Sequence, residues 1–254
     1  MNIIVLVKQV FDSESIITLD EKGKISEEEV KLVLNPYDEY AVEEGLLLKE
    51  EHGGEVIAVS LGADHARSAL LNALAMGADR SLLIYSEDEL DEFVSGELLG
   101  EAIKSQPYDI VLAGRVSIDN GSSQIPGRIA EKLGLPLVSC VTELTVEDGN
   151  LVATRDVDNG SETRELSLPA VITAQKGLNE PRYPSIAGIM KAKKKPMEII
   201  EARTLCALES LIVRGVHIVS YEMPPQKKAG QILQGTAAEV TKILMTALQE
   251  EKLI

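Results

Sequence analysis

Short unbroken apolar runs alternate with stretches in which apolar residues return every three or four positions. Residues 2–7 read NIIVLV, and similar runs occupy 56–61, 82–85 and 110–113. Runs this short, rich in Ile and Val and broken by no charged residue, predict strands buried on both faces. Between them the period changes. Asn35, Pro36 and Asp38 predict a helix start: a capping side chain, a residue suited to the first helical position and an acid in the first turn. Ala66, Ala69, Leu70, Ala73 and Leu74 fall on one helical face, with Gly77 as the stop. Val94, Leu98 and Ala102 continue the pattern, as do Ile125, Ile129 and Leu133. Strands alternating with helices predict βαβ units, hence an α/β fold with a doubly wound, mostly parallel sheet.

From about residue 137 the rhythm is different. β-rich segments are punctuated by Asp148-Gly149-Asn150 and Asn159-Gly160, both hairpin signals, so an antiparallel excursion is expected that returns to the sheet at 170–173. Beyond 195 the pattern loosens. Residues 197–233 hold one strand-like run, 216–221, then Pro224-Pro225 and a basic turn. Thr236 with Glu239 has the form of a capping box, and Ala237, Val240, Leu244 and Leu248 predict a last amphipathic helix. With so few core positions of its own, this section is expected to pack on something else. The organisation expected is a nucleotide-binding α/β domain over 1–175, a loop segment over 176–196 and a C-terminal arm over 197–254.

A formal net charge of −16 and a pI near 4.7 argue against a phosphate-backbone partner, and aromatics at 3% with no Trp argue against base stacking. Cys140 and Cys206 give no disulfide framework, and His52, His65 and His217 are scattered, so no metal site is expected. The start, MNIIVLVKQVFD, has the layout of neither a secretory leader nor a transit peptide, and no apolar run approaches the roughly 20 residues of a membrane span. The expectation is a cytoplasmic protein without direct membrane insertion.

Ligands of open doubly wound sheets lie beyond the carboxyl ends of the strands, where strand order reverses. A sheet wound about its first strand places that crevice between loops 8–12 and 114–124. In the second, Gly114 and Gly121 permit close backbone approach, Ser122 and Ser123 offer hydroxyls, and a helix follows with Pro126 in its first turn. That arrangement suits a phosphate, and it equally describes an ordinary capped strand-to-helix turn. The dinucleotide G-x-G-x-x-G and the P-loop ending are both missing, as are G-x-S-x-G and H-E-x-x-H. Pairs such as Glu43-Glu44 read as solvating groups on a helix surface. With no candidate nucleophile or base, a carrier or structural subunit is favoured over a hydrolase.

Four stretches, VKQVFD at 7–12, NPYDEYAVEEGLLLKE at 35–50, ALAMGADR at 73–80 and LNEPRYPSIAGIMKAKKK at 178–195, resemble the beta subunit of electron transfer flavoprotein. The similarity runs over essentially the whole chain, including IDNGSSQ and RDVDNG. It implies an adenine-nucleotide alpha hydrolase-like fold and a heterodimer with an alpha subunit that holds most of the redox-active FAD. It also implies a structural AMP at Leu6, Asn35, Pro36, Tyr37, Asp38, Leu61 and the loop Gly114, Arg115, Val116, Ser117, Ile118, Asp119, Asn120, Gly121, Ser122, Ser123, Gln124 and Ile125. Asp156, where the family more often has Glu, and Ser13, where relatives can carry an aromatic, are implied to lie near the shared flavin.

The resemblance further implies that the segment with LNEPRY docks acyl-CoA or related flavin dehydrogenases, with electrons passing on to electron transfer flavoprotein–quinone oxidoreductase or an equivalent acceptor. Leu178 is the expected apolar anchor, Asn179, Glu180, Pro181, Arg182 and Tyr183 belong to the same loop, and Pro181 and Pro184 stiffen it. Lys191, Lys193, Lys194 and Lys195 are expected to steer an acidic partner or to fix the base of the loop; a solvated helix end is the plainer alternative. Bifurcating relatives bind a second FAD in place of AMP and read close to DGDTAQVGP in the loop where this chain has DNGSSQIPG, which favours AMP. A hydrolase of the same fold is a remote alternative, because the Ser-Gly-Gly loop after the first strand is replaced by Lys8-Gln9-Val10. A stress-type nucleotide-binding homodimer is another, and it would not need the LNEPRY loop.

Overall fold

A computed structural model describes residues 1–26, 30–147, 149–206, 216, 218–225 and 229–254. The chain enters through β1 (Asn2–Leu6), crosses a small antiparallel pair, β2 (Gln9–Phe11) and β3 (Leu32–Leu34), and turns into helix α1 (Pro36–His52). It continues through β4 (Glu55–Gly62), α2 (Arg67–Met76), β5 (Arg80–Tyr85), α3 (Glu92–Lys104), β6 (Ile110–Gly114) and α4 (Ile125–Leu133). These are the strands and helices that the apolar periodicity predicts. Gly77 ends α2 with its N–H on the Ala73 carbonyl. The sequence pattern does not predict the β2–β3 pair, whose first strand lies in what reads as a plain loop after β1.

Among the described residues nine strands form one sheet, in the order β11-β5-β4-β1-β6-β10-β7-β8-β9, once β7 (Leu137–Glu147), β8 (Asn150–Val157), β9 (Gly160–Ser167), β10 (Ala170–Ala174) and β11 (Met197–Glu201) are included. β1 lies in the middle, between β4 and β6, and both pairings are parallel. Strand order therefore reverses at β1, as a doubly wound sheet requires. Ile3 and Val5 point into one layer with α1 and α2, while Ile4 and Leu6 point into the other with α3 and α4. Burial on both faces is why these strands carry no polar alternation.

The antiparallel excursion is present. β7 begins parallel to β10 and ends antiparallel to β8, and two register shifts, at Ile172/Ala174 and Val141/Glu143, bend it. Cys140 sits at the bend with φ of 61° and gives its N–H to Thr173 Oγ1 at 2.8 Å. Bulges of this kind re-aim a strand without breaking it. β8 and β9 meet at Gly160; at the other hairpin Asp148 lies outside the described residues.

Two expectations change in the C-terminal section. Met197–Glu201, which the sequence pattern leaves in the arm, is a sheet strand parallel to β5, followed by α6 (Ala202–Leu205) with Ala202 buried. The run at 216–221 is no strand at its described positions, 216 and 218–221, and His217 lies outside them. Helix α5 (Ile186–Ala192) packs near α2, whereas α7 (Ala237–Glu250) has the complete Thr236–Glu239 capping box and buries nothing. No helix among the described residues is long and apolar enough to cross a membrane.

Candidate functional site

At the reversal point the last matched pair of β1 and β6 is Val5 with Leu112. Beyond it the strands part, and the backbone groups left between them need other partners. Asn35 and Asp38, at the start of α1, supply them. The Lys8 N–H donates to Asp38 Oδ2 at 2.8 Å and the Gly114 N–H to Asp38 Oδ1 at 3.1 Å. Asn35 Nδ2 donates to Asp38 Oδ1 at 2.9 Å and to the Val116 carbonyl at 3.0 Å, while Asn35 Oδ1 accepts from the Ile118 N–H at 3.3 Å. The expected cap at Asn35 is thus absent: its side chain makes no bond to the helix backbone. Asn35 and Asp38 are 1% and 6% exposed. Burial pushes the Asp38 carboxyl up to about 7, against the opposing pull of its hydrogen bonds and of the Lys8 charge.

Gly114 is required here for a different reason from the one its sequence context suggests. A Cβ on it would overlap Asp38 Oδ1 and the Tyr37 backbone, so the space it leaves is taken by α1. Across the crevice mouth Lys8 Nζ pairs with Asp119 Oδ2 at 2.6 Å. Burial works to raise the Asp119 carboxyl, but the Lys8 hydrogen bond and charge outweigh it and hold it low. Arg115 lies over the Tyr37 ring, 5.1 Å from its centroid.

A cavity of about 370 Å³ opens at this end of the sheet. Leu6, Asp38 and Leu61 line it, as do Gly114, Arg115, Val116 and Ser117. So do Asn120, Ser122, Ser123, Gln124 and Ile125. Of the expected positions, Asn35, Pro36, Tyr37, Ile118, Asp119 and Gly121 stand behind or beside the wall. The loop is built around Asn120, whose Oδ1 accepts from the Ser117 hydroxyl at 2.9 Å and the Ser122 N–H at 3.2 Å. Ser123 and Gly121 both have positive φ, which turns the chain into the start of α4. First-turn N–H groups there lack intrahelical partners and face a ligand readily.

One wall was not legible in the sequence. Glu87, Asp88, Glu89 and Glu92 also line the cavity, and Glu92 Oε1 accepts from Asn120 Nδ2 of the serine loop at 3.1 Å. They belong to the loop after β5 and the first residue of α3, which reach the site because β5 lies next to β4. The rule that ligands sit at strand carboxyl ends could have included that loop. Among the described residues no cluster of three or more His, Cys, Asp or Glu is placed to hold a metal.

The other expected positions lie elsewhere. Ser13 and Asp156 are both exposed, one in the turn after β2 and one on β8, and no hydrogen bond joins them. The 176–196 segment is fastened to α1. Asn179 Nδ2 donates to the Tyr40 carbonyl at 3.0 Å and to Glu44 Oε2 at 2.9 Å. Arg182 grips Glu43 with two side-chain nitrogens, both at 2.8 Å, and reaches Glu50 at 2.7 Å. Those carboxylates hold the Arg182 guanidinium firmly charged. Glu43 and Glu44 are therefore buried tethers, not solvating groups; burial raises the Glu44 carboxyl and the Asn179 bond opposes it.

Leu178 is half-buried against the core layer under α1. The apolar side chains that this segment exposes are Tyr183 at 95%, Ile186 at 82%, Met190 and Ile189. Glu180 is exposed and Pro181 half-buried. Lys191, Lys193 and Lys194 face outward, but Lys195 Nζ donates to the Leu74 and Ala78 carbonyls at 3.0 and 2.6 Å, closing the end of α2. Lys195 thus ties the end of this segment to the end of α2.

The electron transfer flavoprotein domain family matches residues 22–205. The chain is 44% identical to the "Electron transfer flavoprotein subunit beta" of Bacillus subtilis, over 99% of this chain and 98% of that protein. It is 46% identical to the protein of the same name from Syntrophomonas wolfei, over 91% of this chain and 88% of the relative. It is 34% identical, across the whole of both chains, to the "Caffeyl-CoA reductase-Etf complex subunit CarD" of Acetobacterium woodii.

Proposed function

The chain belongs to the electron transfer flavoprotein beta-subunit family, and from that premise we propose that it holds AMP in the crevice beside β1 as one half of a heterodimeric electron carrier. Members of this family are carriers that pair with an alpha subunit, so this chain's residues bind and position rather than catalyse. The observation that carries the reading is the cavity itself. Its 370 Å³ lies at the lower end of the roughly 300–1,000 Å³ usual for small-molecule pockets, a size for a mononucleotide. Ser122, Ser123 and the start of α4 suit a phosphate, and the carboxylates of the 86–92 loop suit the hydroxyl and amino donors of a nucleoside.

The FAD held mainly by the alpha subunit supplies the one- and two-electron chemistry. Asp156 and Ser13, both exposed, face it from this chain. Of the 197–254 section expected to pack on the alpha subunit, helix α7, whose apolar residues are uncovered, takes that role. The 176–196 segment docks the flavin dehydrogenase, of the acyl-CoA or a related type, from which electrons go on toward the respiratory chain in the cytoplasm of a bacterium. Within that segment the exposed Ile186 and Tyr183 are better placed to enter a partner's pocket than Leu178, which is already committed to the core. Lys191, Lys193 and Lys194 add charge that speeds docking to an acidic surface.

A second reading, a second FAD in place of AMP, has one observation in its favour. Ser123 and Gln124 line both the cavity and a neighbouring groove of about 400 Å³ between α3 and α4, which could take the rest of a dinucleotide. Denaturing the purified complex and counting the released nucleotides separates the two. One FAD and one AMP per pair is expected; two FAD and no AMP would overturn the AMP reading.

A further inference from the structure

We propose that Asn35 and Asp38 are positioning residues for the nucleotide: a buried polar brace that sets the width of the crevice between the loop after β1 and the loop after β6. The nucleotide half of this statement rests on the AMP reading above. The brace itself rests on geometry. Past Val5 and Leu112 the two strands share no ladder, because the chain leaves β1 for β2 while Arg115 gives its N–H to the Ala174 carbonyl of β10. A gap bridged by water would have no fixed width. One carboxylate with an oxygen on each loop, Oδ2 on Lys8 and Oδ1 on Gly114, gives it one. Asn35 doubles the span, since its N–H donates to the Lys8 carbonyl at 2.9 Å while its side chain holds Val116 and Ile118. Both ends of α1's first turn are thereby tied to both loops.

Every partner of the Asp38 carboxylate is a donor: two backbone N–H groups and the Asn35 amide. The ionised form accepts all three. A proton on either oxygen would confront an N–H and loosen one loop. The charge that acts on Asp38 is that of Lys8, itself paired with Asp119. Arg115 lies over the neighbouring Tyr37 ring, the cavity that Asp38 lines also holds His65, Glu87, Asp88, Glu89 and Glu92, and β1, β6 and β10 carry no charged residue. Because burial holds the carboxyl near 7, the brace tightens as pH rises through neutrality. Stability moves the other way. The folded chain keeps this proton up to about 7 and the unfolded chain only to about 3.8, so the stability this group contributes is lost as pH rises between those values.

The test uses the purified complex, freed of nucleotide, with wild-type chain and Asp38→Asn, a shape-conserving change that turns one acceptor into a donor. Calorimetric titration with AMP at pH 6, 7 and 8 is compared as the ratio of wild-type to variant affinity, which cancels the titration of the AMP phosphate. The ratio is expected to grow about tenfold from pH 6 to 8, while the wild type, unlike the variant, loses thermal stability over the same interval. A ratio independent of pH would overturn the positioning role. Exchange of the Lys8 and Gly114 amides checks the brace with no nucleotide present, and in the wild type alone if the variant does not fold. Relative to amides of the central strands that exchange by global unfolding, their protection should increase from pH 6 to 8; a constant ratio would overturn the brace. Should AMP bind at no pH while those amides behave as expected, the AMP reading fails and the brace stands.

Discussion

Helix α1 begins without a side-chain cap, yet eight of its residues are buried, three of them acidic; helix α7 begins with a complete capping box and buries none. Three acidic side chains of α1 turn inward. Asp38 braces the crevice, and Glu43 and Glu44 receive the 176–196 segment. The apolar side chains of α7, among them Ile243, Leu244 and Met245, turn outward. Local signals decide that a helix forms at a place in the chain; its tertiary partners decide which residues it hides. A capped helix of 14 residues with no covered face is marginal in water. α1 is covered within this chain; α7 is not, and on the function proposed above the alpha subunit covers it.

The contrast can be broken most severely at Arg182. Arg182→Ala leaves Glu43 buried without its cation, and the expected loss is about 3 kcal/mol of unfolding free energy, reduced from that of a fully enclosed pair because Arg182 is itself partly exposed. Denaturant unfolding measures it; a loss below about 1 kcal/mol, the median range of surface pairs, would return Glu43 to the role of a solvating group. Next in size is the pair Leu178→Ala and Ile186→Ala. The first removes a half-buried side chain from the layer under α1 and should cost about 2 kcal/mol. The second should change stability by less than about 0.5 kcal/mol and slow reduction by the partner dehydrogenase instead. Reversed effects would make Leu178 the docking residue after all.

These positions also mark how far the sequence could be read. Strands β1, β4, β5 and β6 and helices α2 to α4 follow from runs and periods long enough to admit one reading, and α1 from its Asn35-Pro36-x-Asp38 start. The switch-point crevice followed from their order. β11 did not, because MEIIE is short, half charged and half-exposed in place, and only its neighbour β5 makes it a strand. The fate of Glu43 and Glu44 was equally hidden. Their partners Arg182 and Asn179 lie 139 and 135 residues further along the chain, and no local pattern announces a contact at that separation. Asn35 shows a subtler limit. Asn before Pro-x-Asp is sound helix-start chemistry, but a side chain that can cap can also bond across the crevice, and here the orphaned backbone groups of Val116 and Ile118 claim it.

Hydrogen exchange followed along the chain, once for this chain purified alone and once for its complex with the alpha subunit, tests the division most directly. The amides of α1 should be protected in both samples, because that helix is buried by its own chain. Those of α7 should exchange rapidly in the isolated chain and slowly in the complex. Equal protection of α7 in the two samples would contradict the account, since the helix would then need no partner to cover it.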